Sequence, residues 1–125
     1  MSLETQKFKR GATVPIIGLN VTGCDTDPTA KTATFYMRTD ADVRAGKTGT
    51  PVVDGGVAVI SDVEAQADGT YNFTITYQWV AADVATVGCY GGEFKVTLSA
   101  SRLLILPIDD DYIPIELVDN VETGG

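Results

Sequence analysis

Three aspartate clusters, Asp25-Thr26-Asp27, Asp40-Ala41-Asp42 and Asp109-Asp110-Asp111, group side chains that could do chemistry together. Carboxylates this close in a loop offer the hard oxygen ligands that calcium takes. None has the spacing of an EF-hand loop, with ligands at alternate positions, a central glycine and a closing glutamate. Aspartate also favours turns for a conformational reason, because its side chain bonds its own backbone two residues on. The expectation is therefore surface turns and no metal site. Paired carboxylates also serve glycoside hydrolysis, but that reaction needs a deep substrate cleft, which a small domain with core-facing aromatics rarely builds.

The chain contains no histidine. That removes Ser-His-Asp and Cys-His nucleophile systems and most zinc sites. The two cysteines, Cys24 and Cys89, have no neighbouring base or cation in sequence to make a reactive thiolate. Both stand where a strand is expected to begin or end, so they could meet across a sandwich or, in a reducing compartment, stay as thiols. Gly88, Gly91 and Gly92 lack the strand-to-helix context of a phosphate loop and fit places where strands crowd or bulge. Asn20-Val21-Thr22 and Asn72-Phe73-Thr74 match the glycosylation pattern. The start Met1-Ser2-Leu3-Glu4-Thr5-Gln6-Lys7 lacks the apolar core and cleavage site of a secretory signal, so synthesis without export is the expectation. No catalytic, cofactor-binding or metal-ligating residue emerges, and an enzyme is not expected.

Net charge is −8, with basic residues scattered from Lys7 to Arg102. Nucleic-acid binding needs clustered Lys and Arg and is not expected. Acidity keeps a β-rich chain soluble, and could equally match a basic partner surface. No apolar run approaches the roughly 20 residues of a membrane span, and 125 residues point to one domain.

The elements that would position these groups are strands. Tyr71, Phe73, Ile75, Tyr77 and Trp79 alternate with Asn72, Thr74, Thr76 and Gln78. Tyr90, Phe94, Val96 and Leu98 alternate with Glu93, Lys95, Thr97 and Ser99. A period of two places each set on one face of a half-buried strand. The tyrosines and Trp79 therefore read as core rather than as a carbohydrate platform. Tyr36 is the exception; it falls opposite Phe35 and Met37 and, with Ile16, belongs to a contact surface.

Further strands are expected over residues 7–10, 14–21, 32–38, 51–53, 57–63, 103–108 and 112–118. Turns are expected at residues 22–29, at Asp54-Gly55-Gly56 and at Asp68-Gly69. Residues 39–50 form a polar loop with room for one helical turn, and residues 80–87 a short turn of helix ended by Gly88. The result is an all-β chain: an immunoglobulin-like antiparallel β-sandwich of some seven to nine strands over residues 7–118, with an arm at 1–6 and a tail at 119–125.

Several short segments carry a family likeness. They are Phe8-Lys9-Arg10-Gly11-Ala12-Thr13-Val14-Pro15, Thr22-Gly23, Phe35-Tyr36-Met37-Arg38, and Trp79…Asp83…Gly88-Cys89-Tyr90…Glu93-Phe94-Lys95-Val96. Together they resemble the N-terminal domain of baseplate upper proteins of tailed bacteriophages, and small phage structural proteins like it, from Phe8 to about Val118. The resemblance implies an immunoglobulin-like sandwich with a non-enzymatic role in the tail, baseplate or neck of a virion. It also implies synthesis in the host cytoplasm, multiple copies, and contacts with other virion proteins. Alternatives are a capsid decoration protein and a host-surface carbohydrate- or receptor-binding module. Segments 2–10, 39–50 and 118–125 are the expected contact segments.

Overall fold

The alternation of residues 71–79 builds one wall of a two-layer sandwich. In a computed structural model, residues 4–14, 16–107 and 112–119 are described. They form β1 (Gln6–Lys9), β2 (Ile17–Cys24), β3 (Thr32–Thr39), helix α1 (Asp40–Arg44), β4 (Val53–Val57) and β5 (Val59–Ala65). After these come β6 (Tyr71–Tyr77), a 3-10 turn (Ala81–Val84), β7 (Gly88–Ser99), β8 (Arg102–Leu106) and β9 (Ile113–Val118). One sheet runs β1-β9-β7-β3-β4, with β8 also on β7; the other runs β2-β6-β5. All pairings are antiparallel except β1 with β9, which is parallel.

β7 is the long axis of the first sheet. Its first half, Gly88 to Gly92, pairs with β9, and its second half, Phe94 to Ser99, pairs with β8. β8 and β9 therefore continue one line along the same side of β7.

Between the layers lies an aromatic cluster. Phe35 stacks on Tyr77 at 4.9 Å between centroids and lies 4.9 Å from Phe94, while Trp79 meets it edge-on at 5.8 Å. Phe8 of β1 meets Trp79 edge-on at 5.2 Å. Such offset and edge-on pairs each add about 0.5–1.5 kcal/mol beyond area burial. Trp79 Nε1 is buried among these rings without a hydrogen-bond acceptor, so packing alone holds the indole. Ile17, Met37, Ile75, Val84, Val96, Ile113, Ile115 and Leu117 complete the core.

The turn between β6 and β7 is fixed by two hydroxyls. Tyr77 donates to Asp83 Oδ2 at 2.7 Å, and the same oxygen accepts the Val80 N–H at 2.9 Å. Tyr90 donates back to the Thr86 carbonyl at 2.6 Å.

Four expectations need correction. Asp54-Gly55-Gly56 is not a turn but lies inside β4, where a Cβ on Gly56 would come 2.5 Å from Tyr77 Cε1. Glycine is there so that the Tyr77 ring can lie against the backbone, and the chain changes sheets at Ala58 instead. Thr22-Gly23-Cys24 belongs to β2 rather than to the following turn, because a bulge between Val21 and Cys24 with Gly23 at φ +74 absorbs the irregularity. β2 also starts at Ile17 rather than at 14; a proline at 15 has no N–H for a ladder. Strand β1 begins at Gln6, the last residue assigned to the arm. The expected Asp109-Asp110-Asp111 turn lies outside the described residues.

The core fixes a second glycine. A Cβ on Gly92 would sit 2.8 Å from Ile115 Cδ1 and 3.0 Å from two atoms of the Phe35 ring. Gly92→Ala is expected to destabilise the fold by about 1–3 kcal/mol through overpacking, read from urea unfolding; an unchanged midpoint would refute the tight packing.

Burial, and then the bond to Asp83, push the Tyr77 phenol well above its ordinary 10.0. The folded state therefore favours the neutral phenol, so its contribution is complete below pH 10 and is lost as pH rises past it. Comparing stability at about pH 8 and about pH 11, Tyr77→Phe is expected to lose less than the parent protein. At neutral pH the variant is expected to be weaker by about 1.5–3 kcal/mol, the worth of a hydrogen bond to a charged group. An identical alkaline loss in both proteins would refute the assignment.

Candidate contact surfaces

In the two aspartate clusters among the described residues, the carboxylates are engaged by the protein itself. Both oxygens of Asp25 accept from Arg102 Nη2 at 2.8 Å, and Arg102 Nη1 donates to Thr26 Oγ1 at 2.9 Å. These bonds hold the Asp25 carboxyl below its usual range and tie the β2–β3 loop to the β7–β8 hairpin. Asp27 accepts the Thr29 N–H at 2.9 Å. Asp40 accepts from the Tyr112 hydroxyl at 2.7 Å and pairs with Arg44 at 2.9 Å. Among the described residues no three His, Cys, Asp or Glu side chains gather as a metal group.

Asp42 organises the expected loop at 39–50. α1 begins there because Thr39 Oγ1 accepts the Asp42 N–H at 3.1 Å, with Asp40 and Asp42 in its first turn and Arg44 in its last. Asp42 then accepts from Arg38 Nη1 at 2.8 Å and from the Gly49 N–H at 2.8 Å, and Arg38 reaches the Gly49 carbonyl at 2.6 Å. The Arg38 bond, with the Gly49 amide behind it, lowers the Asp42 carboxyl from its ordinary value.

The other sequence candidates separate. Cys24 is buried, with its thiol donating to the Thr26 carbonyl at 3.2 Å; Cys89 is exposed beside Glu116, and both are free. Tyr77, Tyr90 and Trp79 are core residues, and Tyr71 is packed against the core. Tyr36 does lie on the outer face of the first sheet, half-buried, with Lys95 Nζ 5.2 Å from its ring centroid. Ile16 is exposed in the segment before β2 on the other sheet, so the structure does not join it to Tyr36 through any strand pair. Asn20 accepts from the Thr74 hydroxyl and Asn72 from the Gly23 N–H. Of the expected contact segments, residues 6–9 are built into the protein's own first sheet, because Phe8 is a core residue.

Three of the surface cavities bear on these residues. One of about 60 Å³ lies between α1 and the first sheet, lined by Tyr36, Val43, Lys47 and Tyr112 among others. One of about 250 Å³ opens where the end of β2 faces the β7–β8 hairpin, lined by Val21, Cys24, Leu98, Arg102 and Leu104 among others. One of about 210 Å³ lies on the outer face of the second sheet, lined by Asn20, Thr22, Asp62, Glu64, Asn72 and Thr74 among others. None of these three reaches the roughly 300 Å³ at which small-molecule pockets begin.

Exposed aliphatic side chains are the residues that sequence reasoning missed. Ile105, Lys95, Thr34 and Val57 share one register row across the first sheet, and Leu103, Thr97 and Thr32 the next. Val57 is 80% exposed, Leu103 57% and Ile105 44%. The uninterrupted run Leu103-Leu104-Ile105-Leu106 reads as a strand buried on both faces; only pairing shows that Leu104 and Leu106 face inward while their neighbours face out. β8 has one partner, β7, which leaves its other edge open in the described sheet.

No protein family, curated protein or solved structure matches this chain.

Asp42→Ala is expected to release the loop without unfolding the sandwich. Amide exchange at Gly49 should rise markedly while exchange in β3 and β7 stays slow; a protected Gly49 in the variant would show that Asp42 does not hold the loop.

Proposed function

We propose that this chain is a non-enzymatic assembly module, an immunoglobulin-like sandwich serving as a structural component of a tailed-phage virion in the tail, baseplate or neck. The observation that carries the module reading is the outer face of the first sheet, where exposed Leu103, Ile105 and Val57 surround Lys95. A contact face is what such a surface offers, whereas the three cavities described are small for a substrate and Asp25, Asp40 and Asp42 are engaged within the protein.

Strand order supports the finer fold reading. β2, β6 and β5 follow the order B-E-D, and β9, β7, β3 and β4 the order G-F-C-C′. The Tyr90 hydroxyl bonding back to Thr86 is the tyrosine corner expected between strands E and F of such sandwiches. The virion role rests on the resemblance of residues 8–118 to baseplate upper proteins. Trp79, Asp83 and Tyr90, three of the residues carrying that resemblance, serve the aromatic core, the β6–β7 turn and this corner, so the likeness bears first on the framework.

Electron cryomicroscopy of intact particles tests the role. Density for the sandwich is expected at the tail, baseplate or neck. Density across the capsid surface would replace this reading with decoration, and particles without the domain would overturn the virion role.

A further inference from the structure

The cations, though not the carboxylates, are divided unequally between the two sheets. All nine Lys and Arg residues lie on β1, β3, α1, β7 or β8 or immediately beside them, and none lies between Lys47 and Lys95. β2, β5 and β6 carry no cation at all. On the outer face of that second sheet Asp62 and Glu64 flank the 210 Å³ cavity. Neither forms an ion pair among the described residues. The cavity owes its shape to two irregularities, the β2 bulge at Val21/Cys24 and the β5 bulge at Ser61/Glu64, which lie on either side of β6. Its rim is otherwise amide and hydroxyl: Asn20, Asn72, Thr22 and Thr74. Val59, beside it in β5, is 57% exposed.

The first sheet presents the complement. Lys95 stands on its outer face with no ion-pair partner among the described residues, supported by the Tyr36 ring, bordered by Ile105, Thr34 and Val57 in the same row, and two residues along β7 from Glu93 on the same face. A cation among aliphatics on one side of the molecule thus matches a carboxylate-lined hollow beside an exposed valine on the other.

We infer that the occupant of the acidic hollow is a second copy of this chain, which seats Lys95 and its aliphatic surround against Asp62 and Glu64. The contact joins the outer face of the first sheet to the outer face of the second. It is therefore heterologous: each copy keeps one face free, and successive copies close into a ring or extend as a stack. The inference rests on the assembly-module reading and adds the partner and the polarity of the contact. Net charge would drive copies apart, so the attraction is local and weakens with salt.

The test uses purified full chain in sedimentation velocity over a concentration series, independent of any particle, so its failure leaves the virion reading to stand or fall by microscopy. The parent protein is expected to self-associate, less so as salt rises. Lys95→Glu and Glu64→Lys are each expected to weaken association about tenfold or more, with unchanged melting temperatures because both sites are surface positions. Mixing the two variants restores like-for-unlike contacts and is expected to restore association. Glu64→Lys is the sharper arm, since it moves the net charge of −8 toward zero. Stronger association by this variant would show that net repulsion governs and would overturn the inference. So would a monomeric parent protein at every concentration, or a mixture that stays dissociated.

Discussion

Phe35 sets the terms for the rest of the molecule. Its ring lies between the layers, stacked on Tyr77 and close against Phe94 and Trp79. Space for that cluster comes from the backbone: Gly92 lies against the Phe35 ring, and Gly56 against the Tyr77 ring stacked on it. A close-packed interior responds to one extra methyl group, so these glycines belong to the core as much as the rings do.

Alternation made much of this legible. The inward sets of β3, β6 and β7 are those that a period of two selects, with Ala33, Phe35 and Met37 all buried as expected. The errors fell where glycine had two meanings. Asp54-Gly55-Gly56 has the composition of a tight turn, yet Gly56 answers to the Tyr77 ring, close to it only after folding, and Gly55 to a positive φ inside the strand. Gly23, also at positive φ, marks a bulge rather than the end of β2. Local composition records that a side chain is disfavoured, and only the tertiary fold says whether a neighbour or the backbone excludes it.

The chemistry-bearing residues show the same limit. Aspartates gathered in pairs read as surface turns, since sequence shows spacing and hides partners. Asp25 and Asp42 have arginines as partners, one of them 77 residues away at Arg102, and those bonds tie down the loops that carry them. The uneven placing of cations, by contrast, was open to inspection as the cation-free interval between Lys47 and Lys95. It gained meaning only when strand order put β5 and β6 in one sheet with β2, which also lacks cations.

Framework and contact surface are therefore written in different residues. Trp79, Asp83, Tyr90 and the glycines secure the sandwich, and a substitution there is resisted by packing or by a buried hydrogen bond. Leu103, Ile105, Lys95, Asp62 and Glu64 bear little on that framework: the aliphatics stand in water, and the charges have no ion-pair partner among the described residues. Burying apolar surface is favourable wherever it occurs, so the exposed aliphatics carry a standing drive toward contact that the monomer leaves unsatisfied. Polar groups rim both faces and supply direction rather than most of the affinity. A sandwich with this division can keep its core while its partner changes, because the two sets of residues alternate along the same strands without sharing a face.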